Sequence, residues 1–366
     1  MKIAYIGHKR IPGREGGVEV VVEELATRLA VEGHRVTAYN RRKKGLKQPE
    51  EYQGVKVITV PTIEKKSTDA VVYSFLASLR AIFCGYDVIH YHALGPSVFL
   101  IIPHLFHIRT VVTVHGLNYM TPKWKGLGAK FIMLGEKITA RYADEIICLS
   151  REQQKYFLEK YQRKTNFIPN GVTLKEPLDA NLIREKWGLQ KNGYILFLSR
   201  IVPGKGLEHL LRAYRQVNTD LPLVVAGGSV FVDDFYKDIE QMVAEDPRVR
   251  LVGFAEGDVL TELYSNAALY VFPSEAEGMP MCLLEAMSFN TPCLVSDIPE
   301  NTEVGRDLVQ VFKTADVEDL REKLECFLAS EKLQIHRDSR EYIASQYDWN
   351  AVADLTLKCY KGELEC

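Results

Sequence analysis

The sequence predicts an α/β protein built on parallel, doubly wound sheets, and three observations carry that reading. Short β-branched runs alternate with helix-period stretches along the whole chain. The alternation pauses once, in a polar, proline-containing segment near the middle, and then resumes. The length, 366 residues, is enough for two hydrophobic cores.

Residues 2–7 read as the first strand, and 18–32, apolar at helical spacing, as the first helix. Strands follow at 36–39, 55–60, 88–91 and 110–115. A long helical stretch then leads to strands at 145–149 and 165–168. The second half repeats the grammar: strand 194–199, helix 207–216, then strands 223–226, 249–252, 269–272 and 292–295. Two Rossmann-like sheets in one chain, facing across a cleft, hold ligands outside their strands' C-terminal ends. The expected domains are 1–170 and 190–346, with 171–189, which contains Pro177, as the linker. Tyr347-Asp348-Trp349-Asn350 opens a last helix, 347–366.

Composition excludes several classes. Hydrophobic content of 46% and charged content of 26% are those of an ordinary globular protein. The seven cysteines (Cys84, Cys148, Cys282, Cys293, Cys326, Cys359, Cys366) are scattered and odd in number. They point to a reducing cytoplasm and away from a disulfide framework or zinc site. The start of the sequence shows no signal-peptide pattern, and Pro103 and His104 interrupt the longest apolar stretch, so a membrane span is not expected. The net charge of −2 conceals an asymmetry. Residues 1–170 carry 26 Lys and Arg against 15 Asp and Glu, a balance of +11; the remainder carries 20 against 33, or −13. The first half is therefore expected to meet an anionic partner. No nucleic-acid motif accompanies it, which favours a membrane surface or a diphosphate-linked lipid over nucleic acid.

Three segments carry the chemistry. In Ser274-Glu275-Ala276-Glu277-Gly278-Met279-Pro280-Met281-Cys282-Leu283-Leu284-Glu285, a strand gives way to a Gly-Met-Pro turn and an apolar helix. Glu277 falls on the loop and Glu285 about two turns into the helix. Free backbone N–H groups and a positive helix end suit an anionic group there, and the carboxylates can accept from sugar hydroxyls. Glu285 stands in an otherwise apolar run, where a carboxylate requires a partner. Glu275 reads as an ordinary loop residue. In Ser199-Arg200-Ile201-Val202-Pro203-Gly204-Lys205-Gly206, two cations follow an apolar strand in a glycine-rich loop that opens a helix. Two cations beside a helix N-terminus can stabilise a polyanionic group such as a phosphate. In Val111-Val112-Thr113-Val114-His115-Gly116, a histidine ends an apolar strand. A neutral imidazole there can donate a hydrogen bond or act as a weak base.

Taken in order, these segments resemble the motifs of the retaining glycosyltransferases of family 4, which have the GT-B fold. Gly16-Gly17-Val18-Glu19 resembles the family's N-terminal glycine loop, and Ile168-Pro169-Asn170-Gly171-Val172 its interdomain signature. The resemblance spans almost the whole chain. It implies a nucleotide-diphosphate sugar as donor, bound by the second domain. The acceptor belongs to the first domain, and a polyprenyl-diphosphate-linked glycan of surface polysaccharide assembly fits its basic balance. The resemblance also implies that the C-terminal helix crosses back to the first domain. It assigns His115, Arg200, Lys205 and Glu277 to catalysis. It assigns Gly16, Gly17, Gly253, Phe254, Gly278, Met279, Met281, Cys282 and Glu285 to donor binding, with no metal or other cofactor. A sugar-nucleotide epimerase of the same fold and a sensor that has lost catalysis are the competing readings. The Glu277–Glu285 motif with Arg200 and Lys205 speaks against the first, and intact His115 with those residues against the second.

Other polar clusters have plainer readings. Asp233-Asp234 is expected to be a solvated loop, and His90, His92, His104 and His107 packed histidines, the first two able to line an acceptor cleft. Arg41-Arg42-Lys43-Lys44 reads as a solvated basic loop able to add attraction to an anionic membrane. Lys123-Trp124-Lys125, continued by Lys130 and Lys137 among apolar residues, is either a core helix with solvated lysines or a weak anionic-membrane contact on the inner face of the cell membrane.

Overall fold

The computed structural model describes residues 1–13, 16–63, 68–117, 126–228, 234–330 and 338–364. The chain forms two compact units, Met1–Gly171 with Tyr347–Cys366, and Val172–Gln346. No helix among the described residues is long and apolar enough to cross a membrane.

The first unit is built on β1 (Lys2–Ile6), β2 (Arg35–Arg41), β3 (Glu51–Tyr52), β4 (Val55–Val60), β5 (Val88–His92), β6 (Arg109–Val114), β7 (Glu145–Cys148) and β8 (Asn166–Phe167). Their order across the sheet is β3-β4-β2-β1-β5-β6-β7-β8. Every pairing is parallel except β3 with β4, which a short turn joins. Helices cover both faces, so the strands are apolar throughout instead of alternating; Ile3, Ala4, Tyr5 and Ile6 are all fully buried. The strand order reverses at β1 and β5, which opens a crevice at their C-terminal ends. Gly7 follows β1 there at φ +124°, and a Cβ on it would overlap the His92 carbonyl oxygen. Only glycine fits that approach.

Helix Trp349–Lys361 completes this unit, as the crossover reading requires. Asp348 caps its start by accepting from the Ala351 amide (3.0 Å), and Gly362 in the left-handed region ends it. Tyr360 Oη meets Tyr5 Oη at 2.9 Å and His90 Nδ1 at 2.7 Å, and Arg109 donates to the Cys359 carbonyl at 3.3 Å. Trp349 is buried against Gly171, where a Cβ would lie 2.6 Å from the indole.

The second sheet contains β9 (Ile195–Leu198), β10 (Leu223–Ala226), β11 (Val249–Gly253), β12 (Leu269–Phe272), β13 (Cys293–Ser296) and β14 (Gln310–Phe312), in the order β11-β10-β9-β12-β13-β14. All its pairings are parallel, and its order reverses between β9 and β12. Residues 172–189 are not the free linker expected from their polarity. They include helix Leu182–Trp187, which packs on helix Gly257–Asn266. Ala180, Ile183 and Leu189 are buried, and Glu262 accepts from the Asn181 and Ile183 amides, both at 3.0 Å. Strand β14 escaped the sequence pattern because it has three residues and only Phe312 is buried.

The packing of Trp349 on Gly171 yields a test. Gly171→Ala inserts a methyl group where neither the indole nor the Trp349 backbone can withdraw, an overpacking cost of about 1–3 kcal/mol. At roughly 2–4 °C per kcal/mol for a unit of this size, scanning calorimetry should show a transition lowered by several degrees. An unshifted melt would mean that Trp349 does not rest on this backbone.

Candidate active site

In the second unit, the crevice between β9 and β12 brings together two motifs far apart in sequence. Gly206, at φ +69°, begins helix Leu207–Arg215, and a Cβ on it would overlap the Pro273 carbonyl oxygen. Its lack of a side chain is what lets the loop after β9 touch the loop after β12. The contact is then riveted by polar groups. The Glu275 amide donates to the Gly204 carbonyl (3.0 Å), and the Ser274 hydroxyl lies 3.3 Å from the same oxygen. Lys205 Nζ forms an ion pair with Glu277 Oε1, which also accepts from Ser274 Oγ at 2.6 Å. Both partners are largely buried, with side chains 14% and 10% exposed, so each offsets the desolvation of the other. Arg200 is exposed, with no side-chain hydrogen bond or ion pair among the described residues.

Helix Met281–Ser288 follows the Gly-Met-Pro turn. Glu285 is its fifth residue, little more than one turn in, not two. The partner its apolar surroundings demand includes Tyr264, whose hydroxyl donates to Glu285 Oε2 at 3.1 Å. Tyr264 stacks on Phe289 with ring centroids 6.0 Å apart, and burial holds its hydroxyl well above the usual tyrosine range. Burial also pushes the Cys282 thiol up to about 12, with Glu285 nearby adding to the shift. Fewer amides point outward than the turn suggests. Met281 N–H bonds back to the Met279 carbonyl (3.0 Å), and Leu283 and Leu284 to the Pro280 carbonyl. Gly278 and Met281 flank this turn half-buried, and Met279 is buried. Gly253 ends β11 at φ +76°, and Phe254 beside it is 64% exposed.

Glu275 is more than the loop residue its sequence suggests. Its Oε1 lies 3.1 Å from His209 Nε2, a partner 66 residues away that no local pattern discloses. Glu208, His209 and Glu275 offer ligand atoms within 4.8 Å of one another, the only such metal-capable group among the described residues. All three are half-buried. Asp233 lies outside the described residues. Asp234 is solvated as expected, its side chain 99% exposed, but it opens helix Asp234–Ala244 and does not lie in a loop.

In the first unit, His115 extends from β6 beside the end of β5. Its Nε2 lies 2.8 Å from His92 Nδ1, and the two rings stack at 5.1 Å. His90 and His92 are fully buried, their rings 4.2 Å apart, and Tyr5 packs against both. His90 Nε2 meets Thr113 Oγ1 at 2.7 Å. Burial pushes His115 down to about 4 and His90 to about 3. His104, half-buried, faces the Tyr142 ring at 5.4 Å, and His107 is exposed. Gly16 precedes helix Gly17–Val31 in extended backbone, so neither its conformation nor that of Gly17 requires glycine. Glu19 of the same motif is buried and accepts from the Lys9 amide at 2.9 Å, which fixes the segment entering the glycine loop.

Two basic clusters need separate treatment. Arg41 is not solvated: it pairs with Asp69 at 3.1 Å, donates to the Gly7 carbonyl at 2.9 Å and lies over the Tyr73 ring. Arg42, Lys43 and Lys44 are exposed, as expected. Lys123, Trp124 and Lys125 lie outside the described residues.

Comparison with known proteins agrees with this architecture. A family model described as Glycosyltransferase Family 4 matches residues 15–176, and one described as Glycosyl transferases group 1 matches 179–346. An uncharacterised glycosyltransferase of Methanocaldococcus jannaschii is 26% identical over 100% of this chain and 99% of its own length. The UDP-Gal:alpha-D-GlcNAc-diphosphoundecaprenol alpha-1,3-galactosyltransferase of Escherichia coli is 27% identical over 59% of each chain. Anabaena HepE, solved in complex with UDP-glucose, superposes with a TM-score of 0.81 at 17% identity, covering 99% of this chain and 100% of its own.

The Gly206 approach gives the second test. Gly206→Ala must move one of the two loops apart, so binding of a nucleoside diphosphate by titration calorimetry should fall at least tenfold while the sheet core keeps its circular dichroism. Unchanged affinity would show that the joined loops do not form the phosphate site.

Proposed function

The chain belongs to the glycosyl transferases group 1, family 4, and from that premise we propose that it is a retaining hexosyltransferase using a nucleotide-diphosphate sugar. The observation that carries this reading is the Lys205–Glu277 pair at the joined loops. Before substrate arrives, each ion satisfies the other. A donor diphosphate gives Lys205 a new anionic partner, and Glu277 is then free to accept hydrogen bonds from the transferred sugar. Arg200, exposed on the same loop, adds a second cation, and the start of helix Leu207–Arg215 adds its dipole.

As the anomeric carbon–oxygen bond to the diphosphate breaks, these groups stabilise the charge left on the phosphate oxygens. The acceptor oxygen bonds to the anomeric carbon on the face being vacated, and its proton passes to the departing phosphate oxygen. No enzymatic base is then required. Glu285, oriented by Tyr264, accepts from the ribose hydroxyls. Phe254 and Gly253 flank the base, and Gly278, Met279 and Pro280 select the sugar. The names of the Escherichia coli relative and of the HepE complex both contain a UDP-sugar, which supports a nucleotide-sugar donor. The former name also contains a polyprenyl diphosphate, which supports a lipid-linked glycan as acceptor at the inner face of the cell membrane.

A surface of the first unit suits that location. Helices Asp69–Ala81, Ile101–Leu105 and Leu127–Tyr142 pack side by side. Their outer edge and flanks expose Leu79, Phe83, Leu105, Phe106, Leu127 and Leu134. Arg80, Lys130, Lys137 and Arg141 are exposed on the same helices. The carboxylates within these helices are Asp69, paired with Arg41, and Glu136, buried with Lys160. Basic and apolar groups without exposed carboxylates match an anionic bilayer.

Arg200→Ala and Lys205→Ala should each lower turnover by roughly 10²-fold, the loss typical of one preorganised charge-stabilising donor. Arg200→Ala should leave the melting temperature unchanged, whereas Lys205→Ala should lower it by stranding Glu277. The same coupled assay for released nucleoside diphosphate should be insensitive to EDTA. Wild-type turnover in both variants, or a requirement for added Mg²⁺ or Mn²⁺, would overturn the proposed leaving-group chemistry.

Vesicle co-sedimentation tests the surface. Each basic residue near an anionic membrane contributes about 1 kcal/mol, so Lys130→Gln with Lys137→Gln should weaken binding roughly 30-fold at low salt. Binding should also fade as salt shortens the Debye length. Equal binding of the wild-type protein to neutral and anionic vesicles would sink the membrane assignment.

A further inference from the structure

We propose that His92 is a positioning residue that fixes His115 as the Nδ1–H tautomer, so that His115 offers a hydrogen-bond donor and not a base. The inference concerns a residue of the functional reading above, but the tautomer itself follows from the packing.

His92 and His115 stand at the ends of neighbouring parallel strands, with His92 registered against Thr113. That register brings the rings together: His92 Nδ1 to His115 Nε2 is 2.8 Å. The other nitrogen of His92, Nε2, is buried and has no hydrogen-bond partner among the described residues. The His92 ring is enclosed by Tyr5 at 5.4 Å and His90 at 4.2 Å, and Gly7 closes on its backbone. No carboxylate bonds to either imidazole among the described residues, so nothing stabilises a charged ring. Burial pushes both pKa values down, consistent with two neutral rings.

Two neutral imidazoles carry two ring protons, and their shared bond uses one. If His115 donated from Nε2, the His92 proton would be forced onto Nε2, a buried N–H with no acceptor. An unsatisfied buried donor costs about 1–3 kcal/mol, and orphaned buried N–H groups are rarer than under-satisfied acceptors. If His92 donates from Nδ1 instead, its own Nε2 is a bare lone pair and, among the described residues, every ring N–H of the pair except one is bonded. The exception is His115 Nδ1–H, the group His115 then presents. This donor can bond an oxygen of the transferred sugar, but it cannot accept the acceptor's proton. The inference thus agrees with a reaction in which the departing phosphate takes that proton.

The 366-residue chain labelled with ¹⁵N-histidine provides the test. Long-range ¹H–¹⁵N correlation spectra distinguish protonated from bare ring nitrogens, and the signal lost in His115→Gln identifies His115 among the nine histidines. The expected spectrum shows His115 protonated at Nδ1 and bare at Nε2. Protonation at Nε2, or at both nitrogens, at neutral pH would refute the proposal, and this reading needs no variant of His92 to fold. In a second arm, His92→Leu should lower turnover roughly tenfold or more, as loss of an outer partner of a functional histidine does. His92→Gln, whose amide N–H can still donate to Nε2, should recover most of it; equal loss in both would remove the positioning role. If the tautomer is as expected but His115→Gln transfers sugar normally, the functional reading of His115 fails and the tautomer assignment stands.

Discussion

The second unit's candidate site depends on one close approach, that of the Gly206 backbone to the Pro273 carbonyl. Any side chain at residue 206 would hold the two loops apart. Because none is present, the Gly204 carbonyl reaches the Glu275 amide, and Lys205 reaches Glu277. The strand-order reversal between β9 and β12 supplies the space, and the glycine lets the backbone use it. The ion pair adds a further constraint: two largely buried charges tolerate each other's company only in this geometry. On the proposed reading, a donor diphosphate would exchange partners with the Lys205–Glu277 pair and give exposed Arg200 its partner.

Much of this was legible in the sequence, and the limits have physical causes. Buried parallel strands such as β1 and β9 declare themselves because both faces must be apolar. Glu285 announced a partner because an apolar helix cannot bury a lone carboxylate, although the sequence could not say that the partner includes Tyr264. What stayed hidden depends on long-range pairing. The Glu275–His209 contact and the Arg41–Asp69 pair join residues 66 and 28 positions apart, which no local pattern pairs. His90 and His92 were rightly expected to be packed, but their contact with the His115 cluster follows from strand register. The helix within 172–189 was masked by its polar flanks, since only a few residues face the core.

The basic surplus of the first half also changes meaning once the side chains are placed. Part of it is internal. Arg109 joins Glu145 to the last helix, Arg163 donates to the Ala143 and Asp144 carbonyls, and Lys160 serves buried Glu136. Tyr156 and Tyr161 also donate to Glu136, so that carboxylate is stabilised by a small network. The positive field outside the molecule is therefore narrower than the residue count implies. Among the described residues, one group of exposed bases lies on helix Leu127–Tyr142, where Lys130, Lys137 and Arg141 remain in water, and another is Arg42, Lys43 and Lys44.

The first unit is discontinuous: its sheet comes from residues before 172, yet Tyr360 closes the bond to Tyr5 across 355 positions. During synthesis, β1 leaves the ribosome early, and the helix that covers it emerges only after the whole second unit. At about 5–20 residues per second, synthesis of the second unit alone takes on the order of ten to thirty seconds. Throughout it, Tyr5, His90 and the site later filled by Trp349 lack their covering helix. The second unit, by contrast, is continuous and can close as soon as its own strands are present. The unit translated first is thus the one finished last, and nascent chains stalled before Trp349 would expose an aromatic seam that a chaperone must shield.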